Sequence, residues 1–533
     1  MRVYVLLSTI LAFAVGCIND HRDDPPIGPP LVRPPCGGGF GDGVAGGPCI
    51  EPPHPFTNAR ELPKLTHATT PPPAIAGGTL LVSEDGLLAL AAEPARDLVQ
   101  VVTLTSGPVV YSIALRAGDE PGRLLQVGDD FFAVLRGAGS LAKLGRNPTS
   151  ESWEVLDRIP VCASPRGVDY DADQNELLVS CLSGAFVGVD ATTGAERSRT
   201  QLSDDLRDVV VTDGHVFVSR FRSAEVLVLS RESRELQNTV RLADFHFDRF
   251  VMLEGSPRAN VAYRMVQSGP DQVMLSHQLS SSETPIETRI PGGYGGGGDC
   301  VGSIVSAGVS MVGPEGVVSG SSQGNLVLPV DLAISPTVPG EAAIAVAGSR
   351  TKGIPAPSEA PAFDGASRAA PTAGPVGMVR FDDHGGVFSL AACEGSPNSR
   401  SDERRTVAVA YTGTGELIQQ TWAPATLIIG GQTVELPGEE VFDAGHDLFF
   451  GDAGGGIACA SCHAEGGDDG LTWNFAELGP RRTQELRGGI MDSAPFHWDG
   501  EMETFSQLTN DVMGDRMGGP ELPTPYVDAL ANY

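Results

Sequence analysis

The chain has 533 residues, a formal net charge of −31, 67 glycines, 41 prolines and few aromatics. That length exceeds one compact domain, and the Gly and Pro content argues against long helices and for turns and short strands. The deficit of Lys and Arg excludes a phosphate-gripping nucleic-acid surface; so acidic a chain is soluble and suits a basic protein partner.

The chain begins with a positive flank, Arg2, and an apolar stretch at residues 3–15 that is too short to span a bilayer as a mature helix. It ends in Ala14-Val15-Gly16-Cys17, small residues followed by a cysteine. This resembles a bacterial lipobox and implies that residues 1–17 are a signal peptide and that Cys17 is lipidated. An ordinary cleaved signal peptide is the alternative. Either reading places the protein in the periplasm or cell envelope, and the first attaches it to a membrane by its N-terminal lipid. Residues 18–75 are crowded with Pro and Gly, as in Pro29-Pro30, Pro34-Pro35 and Gly37-Gly38-Gly39. Such a stretch cannot bury enough apolar surface to fold alone and reads as a linker.

Nine cysteines are present. Setting aside Cys17, Cys459 and Cys462 leaves six, an even number that suggests three disulfides in an oxidising compartment. Sequence order favours Cys36–Cys49, Cys162–Cys181 and Cys300–Cys393 among the 15 connectivities six cysteines allow.

From residue 76 to residue 437 short β-rich runs alternate with turn residues, for example Phe131-Phe132-Ala133-Val134-Leu135 and His215-Val216-Phe217-Val218. An internal repeat is visible. Pro121-Gly122-Arg123, Pro165-Arg166-Gly167 and Leu206-Arg207-Asp208 each precede a β run, a small-residue turn and a further β run. Arg123 to Arg166 is 43 residues and Arg166 to Arg207 is 41. A period near 40 with four strands per unit predicts an all-β propeller of about seven blades; a pair of sandwiches is the alternative. Residues 76–250 resemble the YVTN-type propellers of exported bacterial proteins, on Asp85-Gly86, the run from Asp97 to Val102, and Pro165-Arg166-Gly167-Val168. The repeat blurs after Arg249, and Gly-rich stretches at 291–298 and 351–374 read as loops or a blade insertion. His215, His246, His277 and His384 fall at no metal-ligand spacing and read as surface or packing residues.

Residues 438–533 have another texture. Val441, Phe442, Leu448 and Phe449 recur at helical spacing and predict an amphipathic helix over 439–450. After a Gly-rich turn comes Cys459-Ala460-Ser461-Cys462-His463. Two thiols three positions apart lie on one side of a tight turn and can each add to a haem vinyl group, while the following histidine reaches the iron. A thioredoxin-like pair would want a βαβ context, and half a zinc site would want a second Cys/His pair; neither is present in the sequence. The motif therefore predicts one covalent haem c, held by Cys459 and Cys462 with His463 as proximal ligand.

Downstream, Arg481-Arg482-Thr483-Gln484-Glu485-Leu486-Arg487 leads into Pro495-Phe496-His497-Trp498-Asp499-Gly500. These segments resemble the C-terminal haem domain of bacterial di-haem cytochrome c peroxidases and MauG-like proteins, with Gln484 in place of a proline and Trp498 as an extra residue. The resemblance implies a small all-α cytochrome c domain and a methionine as distal iron ligand. Met517, in Arg516-Met517-Gly518-Gly519, is preferred and Met513 is the alternative. His446 is less suited, because it precedes the motif on the predicted helix. His497 and Arg487 read as turn or propionate partners.

The peroxidases need a second haem, and this chain has one Cys-x-x-Cys-His. Electron transfer by an exported mono-haem cytochrome on a propeller platform, to a redox protein partner, is the leading reading. A haem-dependent oxidoreductase, peroxidase-like or a propeller dehydrogenase, and a propeller scaffold are the alternatives.

Overall fold

The computed structural model describes residues 62–244, 257–287, 293–294, 303–323, 326–349, 376–381, 387–389 and 405–533. Cys17, Cys36, Cys49, Cys300 and Cys393 lie outside the described residues, and with them the lipid site and two of the expected disulfides.

The β runs pair with their neighbours in sequence. Among the described residues seven four-stranded antiparallel sheets follow one another, each a meander of consecutive strands. Blade 1 runs from Leu80–Val82 to Val110–Ala114, blade 2 from Pro121–Val127 to Trp153–Pro160, and blade 3 from Pro165–Asp171 to Glu196–Gln201. Blade 4 runs from Leu206–Val211 to Leu236–Arg241, blade 5 from Arg258–Gly269 to Gly316–Ser322, blade 6 from Pro329–Ile334 to Val387–Ser389, and blade 7 from Thr406–Tyr411 to Gln432–Glu435.

The strand sequences explain this stacking. In blade 3, Glu176–Cys181 and Ala185–Asp190 are buried at every position, because a neighbouring blade covers each face. The outermost strand Glu196–Gln201, sequence ERSRTQ, is exposed throughout, and its charges blunt an edge that could otherwise pair with another chain. Apolar side chains interlock between blades: Val134 and Leu141 of blade 2 pack with Leu177 and Val187 of blade 3, and Leu178 and Phe186 pack with Val216 and Leu227 of blade 4. Each such side chain stabilises by about 1.5–3 kcal/mol. The ring closes where Ala89 and Val102 of blade 1 meet Ile418 and Leu427 of blade 7. There Gln420 Nε2 donates to the Ala92 carbonyl at 2.9 Å, and Gln420 Oε1 accepts from Thr79 Oγ1 at 2.8 Å. Cys162 and Cys181 form a disulfide across 19 residues, a loop closure worth about 3 kcal/mol.

The inner strands surround an axis lined with charge. The Asp208 carboxylate accepts from Arg123 Nη2 at 2.9 Å, Arg264 Nη1 at 2.8 Å and the Met265 backbone N–H at 2.9 Å. Burial opposes its ionisation, but the two guanidiniums outweigh it and hold the carboxyl below its usual range. The end of the stretch read as linker, residues 18–75, is packed here too, with Ile75 buried in one cluster with Val327 and Val330. Gly77, at φ +67°, passes so close to blade 6 that a Cβ would lie 1.9 Å from the Val330 carbonyl oxygen, so this approach requires glycine.

Residues 438–533 contain four short helices: α1 Ala444–Phe450, α2 Cys459–Cys462, α3 Phe505–Thr509 and α4 Thr524–Asn532, with a π-helical turn at Asn510–Arg516. The expectation of an all-α unit is corrected by an antiparallel hairpin, Thr472–Phe475 with Gly479–Arg482. Its first strand alternates, with Trp473 and Phe475 buried and Thr472 exposed. The predicted helix over 439–450 is shorter as well. The Asp443 side chain accepts from the His446 N–H at 2.9 Å and starts α1 there, leaving Val441 and Phe442 outside it.

This segment shares its cores with the rest of the molecule. Phe449, Phe450, Ala458, Ala460 and Ala464 pack with Val327, Val330, Val407 and Val409 around the propeller axis. Residues between the second and third strands of blade 5 clasp its far side: the Ile286 N–H donates to Asn474 at 2.9 Å and the Tyr294 N–H to Arg516 at 2.8 Å. The described residues form one compact unit. Among the described residues no helix is long and apolar enough to cross a membrane.

Candidate functional site

The Cys-x-x-Cys-His motif forms a single helical turn. The Asp452 carboxylate gathers the preceding glycine loop by accepting from the N–H groups of Gly454 and Gly456, both at 2.9 Å. Ser461 Oγ accepts from the Ala458 N–H at 3.1 Å, and the His463 N–H donates to Cys459 at 2.9 Å. Residues three apart on such a turn share a face. Neither Cys459 nor Cys462 is in a disulfide, and both pack against a cluster that contains Leu448, Ile457, Trp473, Phe475, Met513 and Met517. Burial, then the charges of Asp469 and Cys459, push the Cys462 thiol well above its ordinary value, so it is protonated at neutral pH.

His463 is held from the opposite side. Its Nδ1 lies 2.9 Å from the Gln484 carbonyl oxygen. A carbonyl only accepts, so Nδ1 carries the proton and Nε2 presents its lone pair. Burial lowers the imidazole's pKa and keeps it neutral. A carbonyl partner of this kind fixes the tautomer and ring plane of metal-bound histidines generally. Gln484, the residue at which the chain departs from the peroxidase pattern, thus contributes through its backbone, where side-chain identity matters little.

Met513 and Met517 are 2% and 4% exposed and enter the same apolar cluster as the thiols. The two follow from one π-helical turn, and Gly519 closes behind it: a Cβ there would lie 2.7 Å from the Met513 carbonyl oxygen. The structure brings both methionines to the site and does not separate them.

Glu465, two residues after His463, went unnoticed in the sequence. It adopts φ +53° and is 8% exposed. Its Oε1 lies 2.7 Å from Arg207 Nη1 and its Oε2 lies 3.1 Å from Arg166 Nη1. The carboxyl is held down at about 2: burial opposes ionisation, and Arg166, Arg207 and Arg136 outweigh it. The signal that could have found it was the arginine period itself, since buried guanidiniums on consecutive inner strands require a buried anion.

The remaining candidates lie elsewhere. His446 stacks on Trp422 at 4.2 Å, edges Tyr533 at 5.2 Å and donates from Nε2 to the Pro73 carbonyl at 3.3 Å. It thus packs within an aromatic box between α1 and blade 7. Arg487 pairs with Glu485 at the surface. His497 pairs through Nδ1 with Glu501, and its Nε2 accepts from Arg516 at 3.2 Å, which also reaches the Tyr294 hydroxyl at 3.3 Å. Of the scattered propeller histidines, His215 pairs with Asp271 at 2.6 Å and His277 is buried in blade 5, while His246 and His384 lie outside the described residues. Among the described residues no three His, Cys, Asp or Glu side chains gather as a metal-ion site. The donor set at 459–463 with Met513 and Met517 is of another kind: two thiols outside any disulfide, an imidazole of fixed tautomer and thioethers in an apolar surround. That set fits a covalent c-type haem.

No family model matches this chain, and no curated protein matches it. Solved structures similar to it include a hydrazine synthase chain from Kuenenia stuttgartiensis, 12% identical over 70% of this chain and 98% of that one, with a TM-score of 0.47. A streptogramin B lyase is 8% identical over 65% of this chain and 91% of its own, at 0.40. The Pan2 WD40 domain of Neurospora crassa is 9% identical over 62% and 84%, at 0.37. Likeness at this level carries no argument about function, and the propeller rests on the strand pairing above.

Proposed function

We propose that this protein is an exported mono-haem c-type cytochrome in which the propeller is a rigid platform for electron transfer. The observation that supports it is the turn at 459–463. Two thiols outside any disulfide share one face, His463 has its tautomer set by the Gln484 carbonyl, and two buried methionines lie in the cluster the thiols touch.

Cys459 and Cys462 would each form a thioether, His463 Nε2 would ligate the iron, and Met517, or alternatively Met513, would complete its coordination. Bound there, a c-type haem supplies a one-electron iron couple, with a potential raised by His–Met ligation. The chain's own residues do the rest. The apolar cluster excludes water, the Gln484 carbonyl retains the Nδ1 proton, and Gly519 lets the methionine turn close. The net charge of −31 suits a redox protein partner with a basic surface. The leader at residues 1–17, with Cys17 as lipid site, would deliver the protein to the periplasmic face of a membrane.

The test is the visible spectrum of protein matured with haem, oxidised and reduced, for wild type, Met517→Ala and Met513→Ala. Haem that survives denaturation and a far-red Met–iron band that disappears in one variant are expected, and that variant names the ligand. Protein that never takes up haem would overturn the proposal. A high-spin spectrum that responds to peroxide would replace electron transfer with a haem oxidoreductase.

A further inference from the structure

We propose that Glu465 is a positioning residue for His463, and that the propeller supplies its anchor through Arg166 and Arg207. The inference rests on the haem reading and assigns the propeller a part in it. A buried carboxylate on a tight turn is joined by ion pairs to the inner strands of two successive blades. Arg207 is itself fixed: Nη2 donates to the Ala76 carbonyl at 3.0 Å, Nε donates to Tyr263 at 3.4 Å, and the guanidinium lies 4.3 Å from the centre of the Phe221 ring. The anchor is therefore held by blade 4, blade 5 and the strap before blade 1 together.

The path from anchor to ligand is short. The Gly466 N–H donates to His463 at 2.9 Å and the Gly467 N–H to Ala464 at 3.0 Å, so residues 463–467 move as one turn. Glu465 holds a left-handed conformation that a non-glycine residue rarely adopts, and the paired arginines supply the interaction that keeps it there. His463 is thus gripped at its ring by Gln484, and the turn that follows it is anchored through Glu465 by Arg166 and Arg207. A docking contact alone would need an ion pair anywhere on the shared face. This one sits two residues from the ligand, at the point where the turn reverses.

The experiment uses the full-length protein, with Glu465→Gln, Glu465→Asp, Arg166→Gln and, as a control, Arg231→Gln, which removes an ion pair to Asp171 in blade 3. In haem-free protein, alkylation of Cys459 and Cys462 by iodoacetamide reports opening of the turn. Glu465→Gln is expected to speed it at least about tenfold, because it leaves buried guanidiniums unpaired. Arg166→Gln, which retains the Arg207 pair, speeds it less and serves if Glu465→Gln does not fold. In haem-loaded protein, Glu465→Gln is expected to shift the midpoint potential and weaken the Met–iron band. Glu465→Asp returns both towards wild type, and Arg231→Gln changes neither.

Wild-type alkylation rates in Glu465→Gln and Arg166→Gln would overturn the anchor. Faster alkylation with potential and band unchanged would reduce Glu465 to a docking contact and overturn the positioning role. If wild type takes up no haem, the haem reading falls and the positioning role with it, while the alkylation ratio still decides the anchor.

Discussion

The propeller and the C-terminal segment solve the same problem differently. Each blade buries both faces against neighbours built on the same plan, so its order is repeated around a ring. The segment at 438–533 has no repeat to lean on. Its helices are short, and its apolar side chains complete clusters that inner strands and the blade 5 insertion begin. Helices of four to nine residues are marginal in isolation, and most of their stability comes from packing. The contrast teaches that the turn at 459–463 is held in place because it is seated on the propeller.

The largest expected effect separates the two regions cleanly. Replacing both Cys459 and Cys462 by Ser is expected to abolish covalent haem, read after denaturation, and to leave the strand-rich circular dichroism of the propeller intact. Loss of the strand signal in that variant would show that the ring depends on the segment, reversing the direction of support argued above. A cut in the ring itself comes next. Phe217 is fully buried among Val226, Val240, Ala262 and Met265, where blades 4 and 5 meet. Phe217→Ala is expected to cost about 3–5 kcal/mol, read as a lower urea midpoint at unchanged slope. Alkylation of Cys459 should rise in step with the loss of strand signal, because the seat and the turn fall together.

How far each region was legible in the sequence follows from the same contrast. Blades 2 to 4 were readable because Arg123, Arg166 and Arg207 recur at an almost constant interval at the start of inner strands. Blade 5 broke the pattern, since its first strand runs twelve residues and the residues after its second strand leave the sheet to clasp the segment. That Cys459, Cys462 and His463 fall on one tight turn was readable because their spacing is local. The helix before it was misjudged over 439–442, because hydrophobic period outweighed the capping residue Asp443, which decides where the turn begins. The hairpin at 472–482 was missed because alternation over four residues is a weak signal inside a segment whose family resemblance is helical. Glu465 was missed because the arginine period calls for a buried anion without naming it, and Arg207 and Arg166 lie some 258 and 299 positions away.

The smallest expected effect compares a buried histidine from each region. His277, in blade 5, has both ring nitrogens bonded, Nδ1 to the Gln278 carbonyl and Nε2 to Ser310 Oγ, each at 2.9 Å. Burial depresses its pKa from 6.5 to about 4. His446, at the seam of α1 and blade 7, is depressed from 6.5 to about 3, by burial first and then by Arg405, with Asp447 and the Pro73 carbonyl opposing. In both cases the folded value lies below the unfolded one, so the unfolded chain binds the proton more readily. The stability each neutral ring contributes is complete above pH 6.5 and is lost as pH falls towards the folded value, by up to about 1.4 kcal/mol per pH unit. Urea unfolding at pH 7.5, 6 and 5 is expected to show a shallower loss for His446→Phe than for wild type, and a similar flattening for His277→Gln. An unchanged acid slope in His446→Phe, beside a flattened one in His277→Gln, would mean that α1 leaves its seat in solution while the ring holds. The seam between the two regions would then be the weakest part of the molecule.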